Sequence, residues 1–259
     1  MASATAVARV VPRVDVGSRF YFWMAAVMAA CAFLGFTPTF WAPMTRGAFT
    51  SPVITLHGLV SSTWVLFVVL QAWLVASGRV RRHRSVGLAG ISLATLVAVF
   101  GVMAAINQAQ RAASVGAREA GLAFMILPIS QVLLFGILVA WAITTIRRPD
   151  WHKRLLLVAM ALVIDGAFGR LAVYYGVFHG HMPVPAGMPS PPPPVDMGYL
   201  VDPFLLVPIA YDWRVRGRPH AAYLWGAGAV TLMRALRPAI SRTAAWHAVA
   251  AWILSLAGV

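Results

Sequence analysis

From the N-terminus onward, long apolar runs alternate with short arginine clusters. The runs lie near 20–42, 53–76, 86–106, 120–146, 154–178, 198–213 and 221–240. A helix needs about 20 apolar residues to cross a hydrocarbon core about 30 Å thick, and most of these runs approach that length. The pattern predicts an all-α, polytopic transmembrane helical bundle of seven spans, with room for an eighth in the short apolar stretch 244–259. Residues 1–19 carry Arg9 and Arg13 but no apolar core before Phe20. They read as a cytoplasmic N-terminal tail rather than a cleaved signal peptide, which leaves residues 20–259 as one transmembrane helical domain. The sixth run is short and contains Pro203 and Pro208, so a kinked helix with freed carbonyls inside the bundle is expected. In the seventh, Arg234 and Arg237 interrupt the outer half and Pro238 is placed to turn the chain. The one long connection, 179–198, contains Pro191-Pro192-Pro193-Pro194 and should be extended, polyproline-like chain.

Composition excludes the alternatives to a membrane fold. Of 259 residues, 60% are hydrophobic and 11% charged, which leaves a water-soluble domain without enough polar surface. The formal charge of +14 would suit nucleic acid if it lined one face. The basic residues instead cluster between apolar runs, which points to the lipid bilayer as partner and to no nucleic acid. Cytoplasmic loops carry the excess of Lys and Arg. With the N-terminus inside, inner segments hold fourteen basic residues, including Arg79, Arg81, Arg82 and Arg84, and outer segments hold six, including Arg234 and Arg237. Cys31 is the single cysteine, so disulfide frameworks and paired-cysteine metal sites are excluded.

Three histidines open inner-to-outer spans in the same way: His83 after Arg81-Arg82, His152 within Asp150-Trp151-His152-Lys153-Arg154, and His220 after Arg218-Pro219. If their helices are neighbours, the imidazoles share one depth and can converge on a metal or haem iron, with Asp150 and Asp212 as acceptors behind them. A histidine beside interfacial arginines needs no ligand, so that alternative stays open. By helical rise, His57 lies about 6 Å below the outer surface and Arg170 about 12 Å, with Asp165 and Gln131 at about 15–20 Å. Asp202 lies near the top of the sixth helix. Ionisable groups at such depth are costly and face the bundle interior. Arg170 is the strongest candidate among them, with Asp165, Asp202 or the acidic group of a ligand as partner; a buried Arg–Asp pair that fixes helix register is the competing structural explanation. Small residues beside His57 (Gly58, Ser61, Ser62) and above His83 (Gly87, Gly90) leave room for a neighbouring helix or a flat ligand. The loop sequence His179-Gly180-His181-Met182, with Met188 and Met197, has the soft donors that suit copper. HExxH, GxSxG, Walker A and GxGxxG patterns are absent from the sequence.

The stretch from Phe20 to Ile91, with Gly35-Phe36-Thr37-Pro38, Leu56-His57-Gly58 through Trp64, Gln71 and Arg82-His83-Arg84-Ser85-Val86-Gly87, followed by Trp151-His152-Lys153-Arg154-Leu155 and Gly217-Arg218-Pro219-His220, resembles a family of uncharacterised bacterial polytopic membrane proteins. That resemblance implies the bacterial cytoplasmic (inner) membrane. More distantly, His83 and Gly87 are similar to the cytochrome b561 pattern, which implies haem b held by histidines. The expected function is cofactor-dependent electron transfer. Haem b or another metal would be held by His83, His152 and His220 inside and His57 with His247 outside, and Arg170 would meet a haem propionate or a quinone oxygen. Two alternatives remain: a transporter or permease whose substrate site is Asp165, Arg170, Asp202 and the kinked helix, and a structural or assembly subunit bound to other membrane subunits.

Overall fold

A computed structural model describes residues 16–48, 51–174 and 197–258; the tail 1–15 and most of the loop, including His179, His181, Met182 and Met188, lie outside the described residues. No strand occurs among the described residues. Eight helical rods follow one another among the described residues. They are α1 (Val16–Phe36, prolonged by a π-helical turn Thr37–Trp41 and a last turn Ala42–Thr45), α2 (Pro52–Ala76), α3 (Val80–Ser114) and α4 (Arg118–Phe124 running into Ile126–Thr144). Then come α5 (Pro149–Tyr174), α6 (Pro203–Arg216, entered through a 3-10 turn Met197–Val201), α7 (Ala221–Ile240) and α8 (Ala244–Leu256).

Their boundaries follow from local chemistry. Ser51 caps α2, its Oγ accepting from the Ile54 N–H at 3.4 Å with Pro52 in the first helical position. Gly78, at φ 75°, ends the helix and allows the tight return into α3. Thr243 caps α8 in the same way, accepting from the Trp246 N–H at 3.1 Å. In the sixth run, Pro203 opens α6 in the first helical position, where a missing N–H costs nothing, and Pro208 lies inside the helix. Pro238, by contrast, does not turn the chain. It sits inside the last turn of α7, and the reversal follows at residues 241–243.

Among the described residues, four segments are long and apolar enough to cross a membrane: Gly17–Thr45, Pro52–Ala76, Val80–Ser114 and Arg118–Thr144. At 35 residues, Val80–Ser114 is about 52 Å long. Its arginine-rich start and polar end therefore continue as helix beyond the apolar run 86–106. Helix α5 has the length, at 26 residues, but carries several charges along it.

Those charges are tolerated because α5 is the axle of the bundle. It packs against α1, α2, α4, α6 with its 3-10 turn, and α7. These helices and α3 form a ring in which α2 meets α3, α3 meets α4, α4 meets α7, and α7 meets α6. Phe20 stacks on Tyr211 at 3.8 Å and closes the ring between α1 and α6. Leu155, Val158, Ala159, Met160, Leu162, Ile164 and Ala167 on the axle are wholly buried. Close approach depends on small residues: a Cβ at Gly35 would lie 2.8 Å from that of Ala167. Helix α8 lies outside the ring, where Trp246, Ala250 and Leu254 pack on Ala105, Ala109 and Leu122, and the Trp246 indole donates to the Leu122 carbonyl at 2.8 Å.

Two ionic ties cross the interior. Near the start of α5, Arg154 makes a forked contact with Asp212 of α6 (Nε to Oδ2 2.7 Å, Nη2 to Oδ1 2.6 Å) and donates to Asp150 Oδ1 at 3.1 Å. About 16 Å further along α5, by helical rise, Arg234 of α7 joins Asp165 of α5 at 3.2 Å and also grips Asp202. Arg234 and Arg237 are therefore not outer-segment charges: their exposures are 1% and 4%. The spacing explains this, because Tyr223, Gly226, Val230, Arg234 and Arg237 recur every three or four residues on the buried face of α7.

Removing one partner of a buried ion pair strands the others without compensation. Arg234→Met is expected to destabilise the detergent-solubilised bundle by about 3–5 kcal/mol, read as a lowered unfolding midpoint. Adding Asp165→Asn and Asp202→Asn should restore much of the loss.

Candidate functional site

The C-terminal end of α2 and the N-terminal ends of α3 and α5 lie together, and they bring two of the histidines His83, His152 and His220 into contact. The His83 and His152 ring centres are 6.4 Å apart with their planes at 82°. His152 holds its orientation through Nδ1, which lies 2.8 Å from the Ala142 carbonyl of α4, so its Nε2 is the nitrogen left for a ligand. The His83 Nδ1 is buried without a hydrogen-bond partner. Gln71 from the last turns of α2 borders this pair, and both atoms of its buried amide are unpartnered. A Cβ at Gly87, one turn above His83, would meet only the Gln71 Oε1 at 3.9 Å, so the notch beside the ring is open.

His220 does not join them. Its Nδ1 accepts from the Ala222 N–H at 3.1 Å and caps α7, while its ring stands edge-on to Trp151 at 5.3 Å. Asp212 and Asp150 do not back the histidines either, since both carboxylates are engaged by Arg154. Among the described residues no three His, Cys, Asp or Glu side chains form a group that could hold a metal ion. The threefold convergence read from the sequence is thus a pair plus a helix cap. The agreement with an imidazole-ligated ion is limited to the ring-centre separation: two ring nitrogens each about 2.0–2.1 Å from one ion place the ring centres on the order of 6 Å apart, while the His83 ring also meets the Gln71 backbone. Room for a porphyrin is narrower than the glycines suggested. Phe67 fills the notch at Gly90, where a Cβ would lie 2.7 Å from the ring, and Phe40 fills the one at Gly58.

No protein family, curated protein or solved structure matches the chain.

In the other half of the bundle His57 and Arg170 are neighbours, close enough for the guanidinium charge to act on the imidazole. Arg170 Nε donates to Thr39 Oγ1 at 3.0 Å, Nη1 donates to the Gly166 carbonyl at 2.8 Å, and the Phe36 ring lies 4.6 Å away. The His57 Nδ1 is buried and unpartnered. Asp165 and Asp202, anticipated as partners of Arg170, are held by Arg234. Gln131 donates to the Leu162 carbonyl of the axle and accepts from Arg237 Nη2 at 3.4 Å. His247, anticipated in the outer layer, lies 2.8 Å from Glu119 Oε2 and 2.9 Å from the Ser241 carbonyl, and so fastens α8 to α4.

Two features escaped the sequence reading. Arg234 was missed because a charge in an apolar run was read as an interruption, although its spacing from Val230 and Gly226 marks it as core-facing. The link between His57, Trp64 and Gln71 was missed as well, although intervals of seven residues put all three on one face of α2.

His220 has a consequence that can be measured. Burial first, then the positive charges of Arg154 and Arg216, hold its pKa below the ordinary 6.5, with Asp150 and Asp212 pulling weakly the other way. The folded ring therefore takes its proton at lower pH than the unfolded one. Its cap is fully present above the unfolded value and is lost as pH falls through the folded one. The unfolding midpoint should drop on acidification below about pH 6.5. His220→Asn, which keeps a capping acceptor without the titration, should show a smaller drop.

Proposed function

We propose that this chain is a seven-span integral protein of a bacterial cytoplasmic membrane, with its N-terminus inside, that binds haem b or a related metal cofactor and passes electrons. The observation that carries this reading is the His83–His152 pair, two near-perpendicular imidazoles 6.4 Å apart from helices α3 and α5. Bound between such rings, a haem or metal would supply a one-electron centre. The protein's own contribution is orientation and exclusion of water. The Ala142 carbonyl fixes the tautomer of His152, the Gly87 notch leaves space beside His83, and the buried axle and its ring keep the surroundings at low dielectric. His57, Arg170 and Thr39 are the polar groups available in the other half for a carbonyl or carboxylate of an electron partner such as a quinone. In this reading α5, α6 and α7 are the fifth, sixth and seventh spans, with their charges turned inward to the two ionic ties.

The transport alternative, centred on Asp165, Arg170 and Asp202, has one observation in its favour: the Asp202 side chain keeps 29% of its surface exposed while holding a wholly buried arginine. Against it, Arg234 spans both carboxylates, which suits a clamp better than a substrate cavity.

Protein purified in mild detergent should show a Soret band, or a bound metal by elemental analysis, that is lost or weakened in His83→Ala and in His152→Ala and retained in His220→Asn. Colourless, metal-free wild-type protein would overturn the cofactor reading. Orientation has a separate test. In a Cys31→Ala background, an impermeant thiol reagent added outside right-side-out vesicles should label Ser114→Cys and leave Ser85→Cys unlabelled. The opposite pattern would invert the topology.

A further inference from the structure

The turn between α2 and α3 carries Arg79, Arg81, Arg82 and Arg84, and all four are exposed. None of them makes an ion pair among the described residues. Nothing crowds the turn: a Cβ at Gly78 would meet no atom within 4 Å. Arg147 and Arg148, just before α5 and near the His83–His152 contact, add to the same end of the bundle and are likewise exposed. The chain offers little counter-charge of its own, with seven acidic residues against 21 basic ones. Asp150 and Asp212, the acidic residues described at this end, are already engaged by Arg154, and Lys153 and Arg216 also reach Asp150. The guanidiniums of the turn must therefore find their anion outside the chain.

Exposed apolar surface adjoins this charge. On α3, Arg81, Arg84, Leu88 and Ile91 follow at intervals of three and four residues, so one exposed face passes from guanidinium to hydrocarbon. Leu88 lies about 6 Å beyond Arg84 along the helix and is 72% exposed. On α2, Leu66, Leu70 and Trp73 make a second exposed stripe that ends at the turn, where the Arg79 guanidinium lies 4.5 Å from the Trp73 ring. Tryptophan and arginine together at the end of an apolar stripe mark the headgroup level of a bilayer. We propose that the α2–α3 turn binds an anionic phospholipid. Arg81 and Arg84 hold its phosphodiester, with Arg79 and Arg82 beside it, and its acyl chains lie along the exposed stripes of α3 and α2. Guanidinium suits the task because its planar fork matches two phosphate oxygens at once. A zwitterionic lipid also has a phosphate, but its own ammonium group cancels the charge that four arginines require. A nucleic acid or an acidic protein segment would answer the arginines and leave Leu66, Leu70, Leu88 and Ile91 without a partner. The site requires the membrane-spanning part of the reading above, not the cofactor, and it holds for either direction of insertion.

The test uses the full chain, delipidated in a non-ionic detergent, and phosphatidylglycerol with a pyrene-labelled tail, whose binding is read by energy transfer from tryptophan. Unlabelled phosphatidylglycerol should displace the probe, whereas phosphatidylcholine, inorganic phosphate and polyglutamate should displace it poorly. The combined variant Arg81→Gln, Arg82→Gln, Arg84→Gln should weaken binding by about fivefold for each arginine removed, on the order of a hundredfold in all. Arg46→Gln, Arg111→Gln, Arg242→Gln removes the same charge from exposed positions at the other end and should leave affinity near the wild-type value. If the first variant fails to fold, salt decides on the wild-type protein: raising it to about 0.5 M should weaken the phosphatidylglycerol complex. Equal displacement by phosphatidylcholine, equal losses in the two variants, or binding indifferent to salt would overturn the site. Displacement by polyglutamate would assign the turn to an acidic protein partner, and displacement by phosphate to a free anion; either overturns the lipid. Failure of the spanning reading shows separately, as protein stripped from vesicles by an alkaline carbonate wash.

Discussion

The bundle is organised by the need to keep one guanidinium, that of Arg234, out of both water and lipid. An arginine cannot neutralise itself by losing its proton, so α7 can lie in this position only if acceptors come to it. Asp165 on α5 and Asp202 at the head of α6 do so, and three helices are thereby fixed in rotation about their own axes. Arg154 and Asp212 repeat the arrangement at the other end of α5. Two ties about 16 Å apart on the same helix set its height as well as its rotation relative to α6. Apolar packing between membrane helices is weakly directional, because lipid tails compete for the same surfaces. The ionic ties supply the register that such packing leaves loose.

Polar groups in this interior fall into two kinds, and the division bears on function. The charges are paired: Arg154, Arg234 and Arg237 each find carboxylates, carbonyls or hydroxyls at hydrogen-bonding distance. Unpaired atoms are concentrated among the neutral groups His57, Trp64, Gln71 and His83. If polar residues were present only to position helices, both kinds should be satisfied, since an idle hydrogen-bonding group weakens the bundle without specifying it. A site that must accept a ligand, water or a proton needs groups with spare valence. The neutral file has that spare capacity, and the Asp165–Arg234–Asp202 tie largely lacks it.

The helices themselves were legible in the sequence: α2 and α7 begin and end within a residue of the apolar runs 53–76 and 221–240. Hydrophobic runs report where helices lie because burial in lipid and burial in protein select the same side chains. For that reason they could not show which helix is the axle. Helix α5 is the most buried, yet its charges make it look less suited to a membrane than α2, which is exposed along much of its length. Partner choice was illegible for a related reason. His83, His152 and His220 open their helices alike, but whether a ring meets another ring or caps a helix depends on rotation and offset, and these are set by contacts distant in sequence. Arg234 was recoverable from its spacing with Gly226 and Val230, had the charge been weighed as a core residue.

The axle arrangement also constrains assembly. Helices α1 to α4 are apolar enough to stand in a bilayer alone, whereas α5 presents Arg154 and Asp165, groups that are costly against lipid at that depth. Their partners on other helices, Asp212 and Arg234, follow α5 in the chain, while Asp150, which also meets Arg154, lies on α5 itself. The ties that join α5 to its neighbours are therefore complete only when α6 and α7 are in place. The neutral polar file lies on α2 and α3 and, with α5, includes the histidine pair, so these neutral groups are not the ones that tie α5 to α6 and α7.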